Sequence, residues 1–105
     1  MPIAPRTILL VEDNPDDEEL TLRALARNNI GNQVVVVRDG QDAIDWLEAT
    51  GPYASRNASD VPALVLLDLK LPKIDGLEVL RRLRANPRTA IVPCLLYTSP
   101  SPRDS

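Results

Sequence analysis

The chain has 105 residues, 44% of them hydrophobic, a formal net charge of −3, one cysteine and no histidine. A single domain of this size and acidic balance gives no electrostatic reason to expect nucleic-acid binding. No apolar run approaches the roughly 18 residues that a membrane span needs. The absence of histidine excludes histidine-based metal sites, general bases and an internal phosphohistidine. Residues 1–6 lack the apolar segment of a secretory signal, so a cytoplasmic location is expected.

A first strand is predicted at 7–11, where an apolar run is bounded by polar residues. Such a short run is typical of a parallel strand that is buried on both faces. The run ends on two acids, Glu12 and Asp13.

A helix is predicted to begin directly after these acids. Asn14 can cap a helix and Pro15 suits the first helical position. The acids at 16–19 are expected to be solvated and to complement the positive end of the helix dipole. The apolar side of the helix is predicted from three residues: Leu20, Ala24 and Leu25.

The next segment predicts a second strand at 34–37 and a short second helix. Asp39-Gly40 is interpreted as the turn between them, with Ile44 and Leu47 on the inner side of the helix. The stretch at 50–60 contains glycine, proline and several small residues, which indicates a long surface loop.

A third strand is predicted at 64–67, ending on Asp68. Gly76 precedes a helix that Asn86-Pro87 ends. Its apolar residues are expected to face inward and its arginines to face water: Leu77, Val79, Leu80 and Leu83 inward, Arg81, Arg82 and Arg84 outward. A fourth strand is predicted to start at 91–93. This alternation of strands and helices is typical of a parallel α/β sheet.

Three carboxylates therefore leave the ends of the first and third strands. Ligands of open parallel sheets bind outside the carboxyl ends of the strands, so Glu12, Asp13 and Asp68 are expected at one rim. Such oxygens suit Mg²⁺, with Asp13 and Asp68 as direct or near-direct ligands, Glu12 acting through water, and the backbone carbonyl of Lys70 as a further ligand. With the metal bound, Asp68 is expected to act as a nucleophile toward a phosphoryl group.

Each acid also has a simpler interpretation. Asp68 can be a cap or turn residue after a buried strand, and Asp13 can merely begin the turn at Asn14. Asp75-Gly76 is most simply interpreted as a turn that leads into the next helix. No single residue establishes the site, and it is the joint spacing that favours it.

These segments resemble the receiver domain of two-component response regulators. The matching residues are Ile8-Leu9-Leu10-Val11-Glu12-Asp13-Asn14 and Leu66-Leu67-Asp68-Leu69-Lys70-Leu71-Pro72-Lys73-Ile74-Asp75-Gly76. They hold an acid pair, an aspartate, and Leu-Pro and Asp-Gly pairs at the spacing of that family. The stretches 14–17 and 51–53 resemble the single-domain regulators that are paired with bacterial phytochrome-type sensor kinases.

The resemblance implies a flavodoxin-like, doubly wound parallel sheet of order 2-1-3-4-5, of which residues 1–93 would form the N-terminal part, truncated in or before the fourth strand. It implies that a phytochrome-type sensor histidine kinase donates phosphate to Asp68 while Glu12 and Asp13 bind Mg²⁺. The domain would then signal in a phosphorelay rather than act as an enzyme. Whether the complete protein forms a homodimer is left open.

The last twelve residues, 94–105, depart from this pattern. They begin like a strand and continue with serines and prolines. Back-translated, 94–104 can be written as the transposon-derived adapter of a common sequencing library, read in frame. Residues 94–105 are therefore expected to be a non-native tail, the alternative being a genuine Ser/Pro-rich terminus.

Two other functions stay open at this point. A pseudo-receiver would be a binding module of the same fold without phosphorylation, although the three retained acids argue against it. A Mg²⁺-dependent phosphohydrolase is opposed by the lack of an Asp-x-Asp motif at the first strand, because Asn14 and Pro15 follow Asp13.

Overall fold

Four strands and three helices alternate in the computed structural model, which describes residues 7–27, 32–57, 60–69, 71 and 75–97. The elements are β1 (Ile8–Val11), α1 (Pro15–Arg27), β2 (Val34–Val37), α2 (Gly40–Glu48), a 3-10 turn (Gly51–Tyr53), β3 (Leu64–Asp68), α3 (Gly76–Ala85) and β4 (Cys94–Tyr97). The strands form a parallel sheet in the order β2-β1-β3-β4, as predicted for the first four strands. No helix in this described part is both long and apolar enough to cross a membrane.

The two central strands, β1 and β3, are buried on both faces. Leu9 and Leu67 face the side that α2 and α3 cover, whereas Leu10 and Leu66 face α1. Continuous apolar runs are what such doubly covered parallel strands require. The sheet is therefore doubly wound, with helices on both faces.

Helix α1 begins as the sequence predicts but faces the sheet differently. The Asn14 Oδ1 accepts hydrogen bonds from the backbone N–H groups of Asp16 (2.8 Å) and Asp17 (3.3 Å), and Pro15 is the first helical residue. Predicting Leu20 and Ala24 on the apolar side was wrong, because both are exposed. The helix packs on the sheet through Leu22 and Leu25.

The expected turn at Asp39-Gly40 is instead the start of α2. Asp39 is the helix cap, with its Oδ1 accepting from the backbone N–H of Asp42 (2.8 Å), and Gly40 is the first helical residue. An extended aspartate before a helix satisfies one of the unpaired N–H groups of the first turn. Ile44 and Leu47 are buried as predicted.

Helix α3 is capped in the same way by Asp75, which accepts from the backbone N–H of Glu78 (3.0 Å). Val79 and Leu83 are buried, but the prediction that Leu77 faces inward was wrong, since it is 61% exposed. Two residues along a helix are about 200° apart around its axis, so Leu77 and Val79 cannot face the same side. The three arginines of this helix are exposed as predicted: Arg81, Arg82 and Arg84.

The predicted start of the fourth strand at 91–93 was also wrong. Arg84 Nη1 donates to the carbonyl oxygens of Ala90 (2.9 Å) and Val92 (2.7 Å), and Thr89 Oγ1 donates to that of Leu83 (2.6 Å). These bonds hold the chain against the end of α3 as a turn, and Ile91 is 90% exposed. The strand forms at Cys94–Tyr97, within the segment predicted to be a non-native tail.

Candidate functional site

Three carboxylates meet at the carboxyl edge of the sheet. Glu12 and Asp13 follow β1 and Asp68 ends β3, and one oxygen from each lies within 4.8 Å of the others. The two strands are parallel neighbours with Val11 opposite Leu67, so the residues after them leave the sheet side by side. The structure thus brings together the three acids that the sequence placed at one rim.

The three acids differ in burial. Glu12 and Asp68 are fully buried, whereas Asp13 is half-buried. Burying carboxylates is costly unless they are paired, hydrogen-bonded or bound to a metal. The donor set is purely oxygen and carries up to three negative charges, which fits a hard divalent cation such as Mg²⁺ or Mn²⁺.

Glu12 is held by hydrogen bonds at both carboxylate oxygens. The backbone N–H of Asn14 donates to Oε2 (3.1 Å), and the Tyr97 hydroxyl donates to Oε1 (2.6 Å). Burial raises the pKa of the Tyr97 hydroxyl above its ordinary value, and the hydrogen bond to Glu12 raises it further. The phenol is therefore a neutral donor that fixes one oxygen of Glu12.

Asp68 lies between β4 and the start of α3. The Leu69 N–H donates to the Tyr97 carbonyl (2.9 Å), which extends the β3–β4 pairing past Asp68. A Cβ on Gly76 would lie 2.7 Å from the Asp68 carbonyl oxygen and 2.8 Å from the Leu69 Cα. Only glycine lets α3 approach this closely. The sequence marked Gly76 as a helix entry but gave no sign of this contact.

Two predicted contributors have no described position. Lys70, whose carbonyl was expected to complete the metal site, and Pro72 of the matching Leu-Pro pair lie outside the described residues.

The acids of the first turn of α1 are not all solvated, contrary to expectation. Asp16 and Glu19 are exposed, but Asp17 is 2% exposed, and the Glu18 side chain forms an ion pair with Arg38. Asp17 lies on the side of α1 that turns toward Tyr97, and the Thr21 hydroxyl donates to its carbonyl (3.0 Å). Its helical spacing from Thr21 and Leu25, of which Leu25 packs on the sheet, was the available signal.

Comparison with known proteins decides the family. A family model described as the response regulator receiver domain matches residues 8–104. The chain belongs to the response regulator receiver family.

The relatives of this receiver domain include phytochrome response regulators. Rcp1 of Synechocystis sp. is 39% identical over 90% of the chain, and its Mn²⁺-bound structure superposes with a TM-score of 0.81 over 94% of this chain and 69% of that one. The bacteriophytochrome response regulator AtBRR is 52% identical, with a TM-score of 0.86 over 92% of this chain and 69% of that chain. The phosphorylated cyanobacterial phytochrome response regulator RcpA is 42% identical, with a TM-score of 0.78 over 89% of this chain and 64% of that chain.

These likenesses confirm the receiver fold and the predicted resemblance. The chain spans 63% of the length of Rcp1, which is less than two thirds of that relative.

Proposed function

We propose that this receiver domain accepts a phosphoryl group on Asp68 within a two-component phosphorelay. The observation that supports this proposal is the meeting of three carboxylates, Glu12, Asp13 and Asp68, at the ends of the two central strands. The family and the phosphorylated relative RcpA make phosphorylation the reaction to test first.

In the proposed reaction, a carboxylate oxygen of Asp68 attacks the phosphorus of a phosphohistidine. An oxygen–phosphorus bond forms, the phosphorus–nitrogen bond breaks, and its electron pair returns to the imidazole nitrogen. The product is an acyl phosphate on Asp68. Later attack by water on its phosphorus breaks the bond to the Asp68 oxygen, which restores the carboxylate and releases inorganic phosphate. Mg²⁺ held by these acids would offset negative charge on the phosphoryl oxygens.

We assign the metal ligands from the surroundings of each acid. Half-buried Asp13 and the strand-end Asp68 would bind Mg²⁺ directly, with the Lys70 carbonyl as a further ligand. Glu12 would act through water, because the Asn14 N–H already holds its Oε2. The Mn²⁺-bound form of the relative Rcp1 supports a divalent ion in this family.

The proposed partner is a sensor histidine kinase of the phytochrome type. None of the 105 residues is a histidine, so the phosphohistidine donor would lie outside this sequence. The relatives AtBRR and RcpA are described as phytochrome response regulators, which supports this kinase class. The transfer would take place in the cytoplasm, and the phosphorylated domain would act as a signal.

The test is labelling by a small phosphodonor, such as acetyl phosphate, with Mg²⁺ present. The wild-type protein is expected to gain one phosphoryl group per chain, and the gain should vanish in Asp68→Asn or with a chelator. Asp60→Asn, an exposed aspartate on a loop, is the matched control and should label like wild type. Full labelling of Asp68→Asn would contradict the proposal. A wild-type protein that never labels would instead favour a binding module.

We further propose that residues 94–105 are not native to this protein. The codon match to a sequencing adapter supports this proposal, although Cys94–Tyr97 forms β4 in this chain. Sequencing the source DNA from an independent library tests it. A different sequence after Pro93 is expected, and recovery of the same twelve residues would contradict it.

A further inference from the structure

The backbone after β1 is fastened to the end of β2. The Glu12 N–H donates to the carbonyl of Val37 (3.0 Å), which continues the β1–β2 pairing by one residue. The guanidinium of the next residue, Arg38, forms an ion pair with the carboxylate of Glu18 on α1. The Glu18 side chain is 17% exposed and that of Arg38 is 54% exposed, so one partner of this ion pair is largely withdrawn from water.

Hydrogen bonds lead from Glu18 back to the carboxylate of Glu12. The Glu18 N–H donates to the Asn14 carbonyl (2.9 Å), and the Asn14 N–H donates to Glu12 Oε2 (3.1 Å). These contacts therefore form a closed ring. Arg38 pairs with Glu18, Glu18 bonds to Asn14, Asn14 bonds to Glu12, and Glu12 bonds to Val37, the residue before Arg38. Each link restrains the turn that presents Glu12 and Asp13.

We infer that Arg38 is a positioning residue for the metal site, acting through Glu18 and Asn14 on the carboxylate of Glu12. This inference rests on the proposed function. Removing the ion pair leaves the first turn of α1 without its tie to β2, so the Asn14 N–H holds Glu12 Oε2 less firmly. The cation then meets a less ordered set of oxygens and binds more weakly.

The sign of the effect separates positioning from simple electrostatics. Removing a cation near an acidic site strengthens the attraction for Mg²⁺ if only the net field matters. Loss of positioning weakens binding instead. Arg23 provides a matched control, because it pairs with Glu19 on the outer side of the same helix, where both side chains are more than 60% exposed.

The experiment is a Mg²⁺ titration of the wild type, Arg38→Glu, Arg23→Glu and the charge swap Glu18→Arg/Arg38→Glu. Amide chemical shifts of Asp13 and Asp68 measure Mg²⁺ binding. Hydrogen exchange of the Asn14 amide measures how well ordered the turn is. Arg38→Glu is expected to lower the Mg²⁺ affinity and the protection of the Asn14 amide from hydrogen exchange about two- to fivefold. This is the range that a partly exposed ion pair contributes. The swap should restore both, and Arg23→Glu should weaken neither. Arg38→Gln replaces Arg38→Glu if the latter does not fold.

Two results would overturn the inference. One is an Arg38→Glu variant whose Mg²⁺ affinity and Asn14 amide protection equal those of Arg23→Glu. The other is a charge swap that restores neither quantity. Failure of the proposed function is distinguishable. It would show as a wild-type protein that binds no Mg²⁺, while the Asn14 exchange rates would still decide whether Arg38 orders the turn.

Discussion

Glu12 and Asp13 are neighbours in the chain, yet their carboxylates lie in different surroundings. Glu12 is fully buried and accepts hydrogen bonds at both oxygens, from Asn14 and from Tyr97. Asp13 is half-buried at the rim, where an ion arriving from solvent reaches it. These surroundings fit the two proposed roles: Glu12 as an oriented carboxylate that acts through water, and Asp13 as a direct metal ligand.

Asp13→Asn is expected to weaken Mg²⁺ binding more than Glu12→Gln, although each substitution removes one negative charge. Loss of a direct ligand should cost at least the roughly tenfold in affinity that loss of a supporting interaction costs at a metal site. Titrations followed by amide chemical shifts measure both dissociation constants. Equal losses in the two variants would contradict the different roles assigned to these acids.

The folded chain is expected to lose stability as the pH rises above about 10. Burial raises the pKa of Tyr97 in the folded state, whereas the unfolded chain releases this proton near its ordinary value. The contribution of the neutral phenol to the free energy of unfolding is therefore complete below about pH 10 and is lost above it. Unfolding by urea between about pH 9 and pH 11 measures the slope.

Tyr97→Phe should reduce this loss of stability at alkaline pH, because it removes the titrating hydroxyl. Tyr53→Phe is the control. Burial and the nearby Asp42 also raise the pKa of Tyr53, but its hydrogen bond to Asp42 is longer, at 3.3 Å. Tyr53→Phe should therefore reduce the alkaline loss of stability less than Tyr97→Phe does. An alkaline slope in Tyr97→Phe equal to that of the wild type would rule out the buried phenol as its cause.

Among the elements, α3 is positioned by a glycine rather than by its apolar residues alone. Its first residue, Gly76, lies against the backbone of Asp68 and Leu69, and its N–H donates weakly to the Leu69 carbonyl (3.4 Å). The start of α3 therefore determines the conformation of the chain directly after the proposed phosphoryl acceptor.

Gly76→Ala is expected to destabilise the protein by about 1–3 kcal/mol, the usual cost of forcing a methyl group into a packed contact. It should also slow labelling of Asp68, because the new Cβ meets backbone atoms that cannot turn away. Leu77→Ala changes the next, exposed residue and should stay within about 0.5 kcal/mol of wild type. Urea unfolding and the labelling rate measure both effects. Wild-type stability of Gly76→Ala would contradict the close contact.

The elements that could be predicted from sequence are those whose signal is local. The runs of β1 and β3 are apolar because both faces are covered, and the rule for parallel sheets then places the acids at one edge. The start of β4 could not be predicted, because hydrogen bonds between α3 and the chain after it, from Arg84 to Val92 and from Thr89 to Leu83, decide it. The pair between Arg38 and Glu18 joins residues twenty positions apart and leaves no periodic signal.

At the scale of the molecule, topology explains where the acids lie. The chain leaves β1 through α1 to the edge strand β2, then returns through α2 to β3 on the other side of β1. The connections after β1 and β3 thus run to opposite faces of the sheet, which opens a crevice at the carboxyl ends of these strands. Three carboxylates gathered there favour a cation and oppose the compact fold when none is bound.

Asp68→Asn is therefore expected to stabilise the cation-free fold while abolishing its response to Mg²⁺. Unit charges within 4.8 Å of one another repel by about 3 kcal/mol at the effective dielectric constant of a protein site. Altered hydrogen bonding at Asp68 offsets part of this gain, so the free energy of unfolding in chelator should rise by about 1 kcal/mol. Wild type should instead gain stability as Mg²⁺ is added, because the ion binds only the folded chain. Urea unfolding with chelator and with Mg²⁺ measures both effects, and Asp60→Asn should behave like wild type in each. Lower stability of Asp68→Asn in chelator would show that its carboxylate is compensated within the fold before any cation binds.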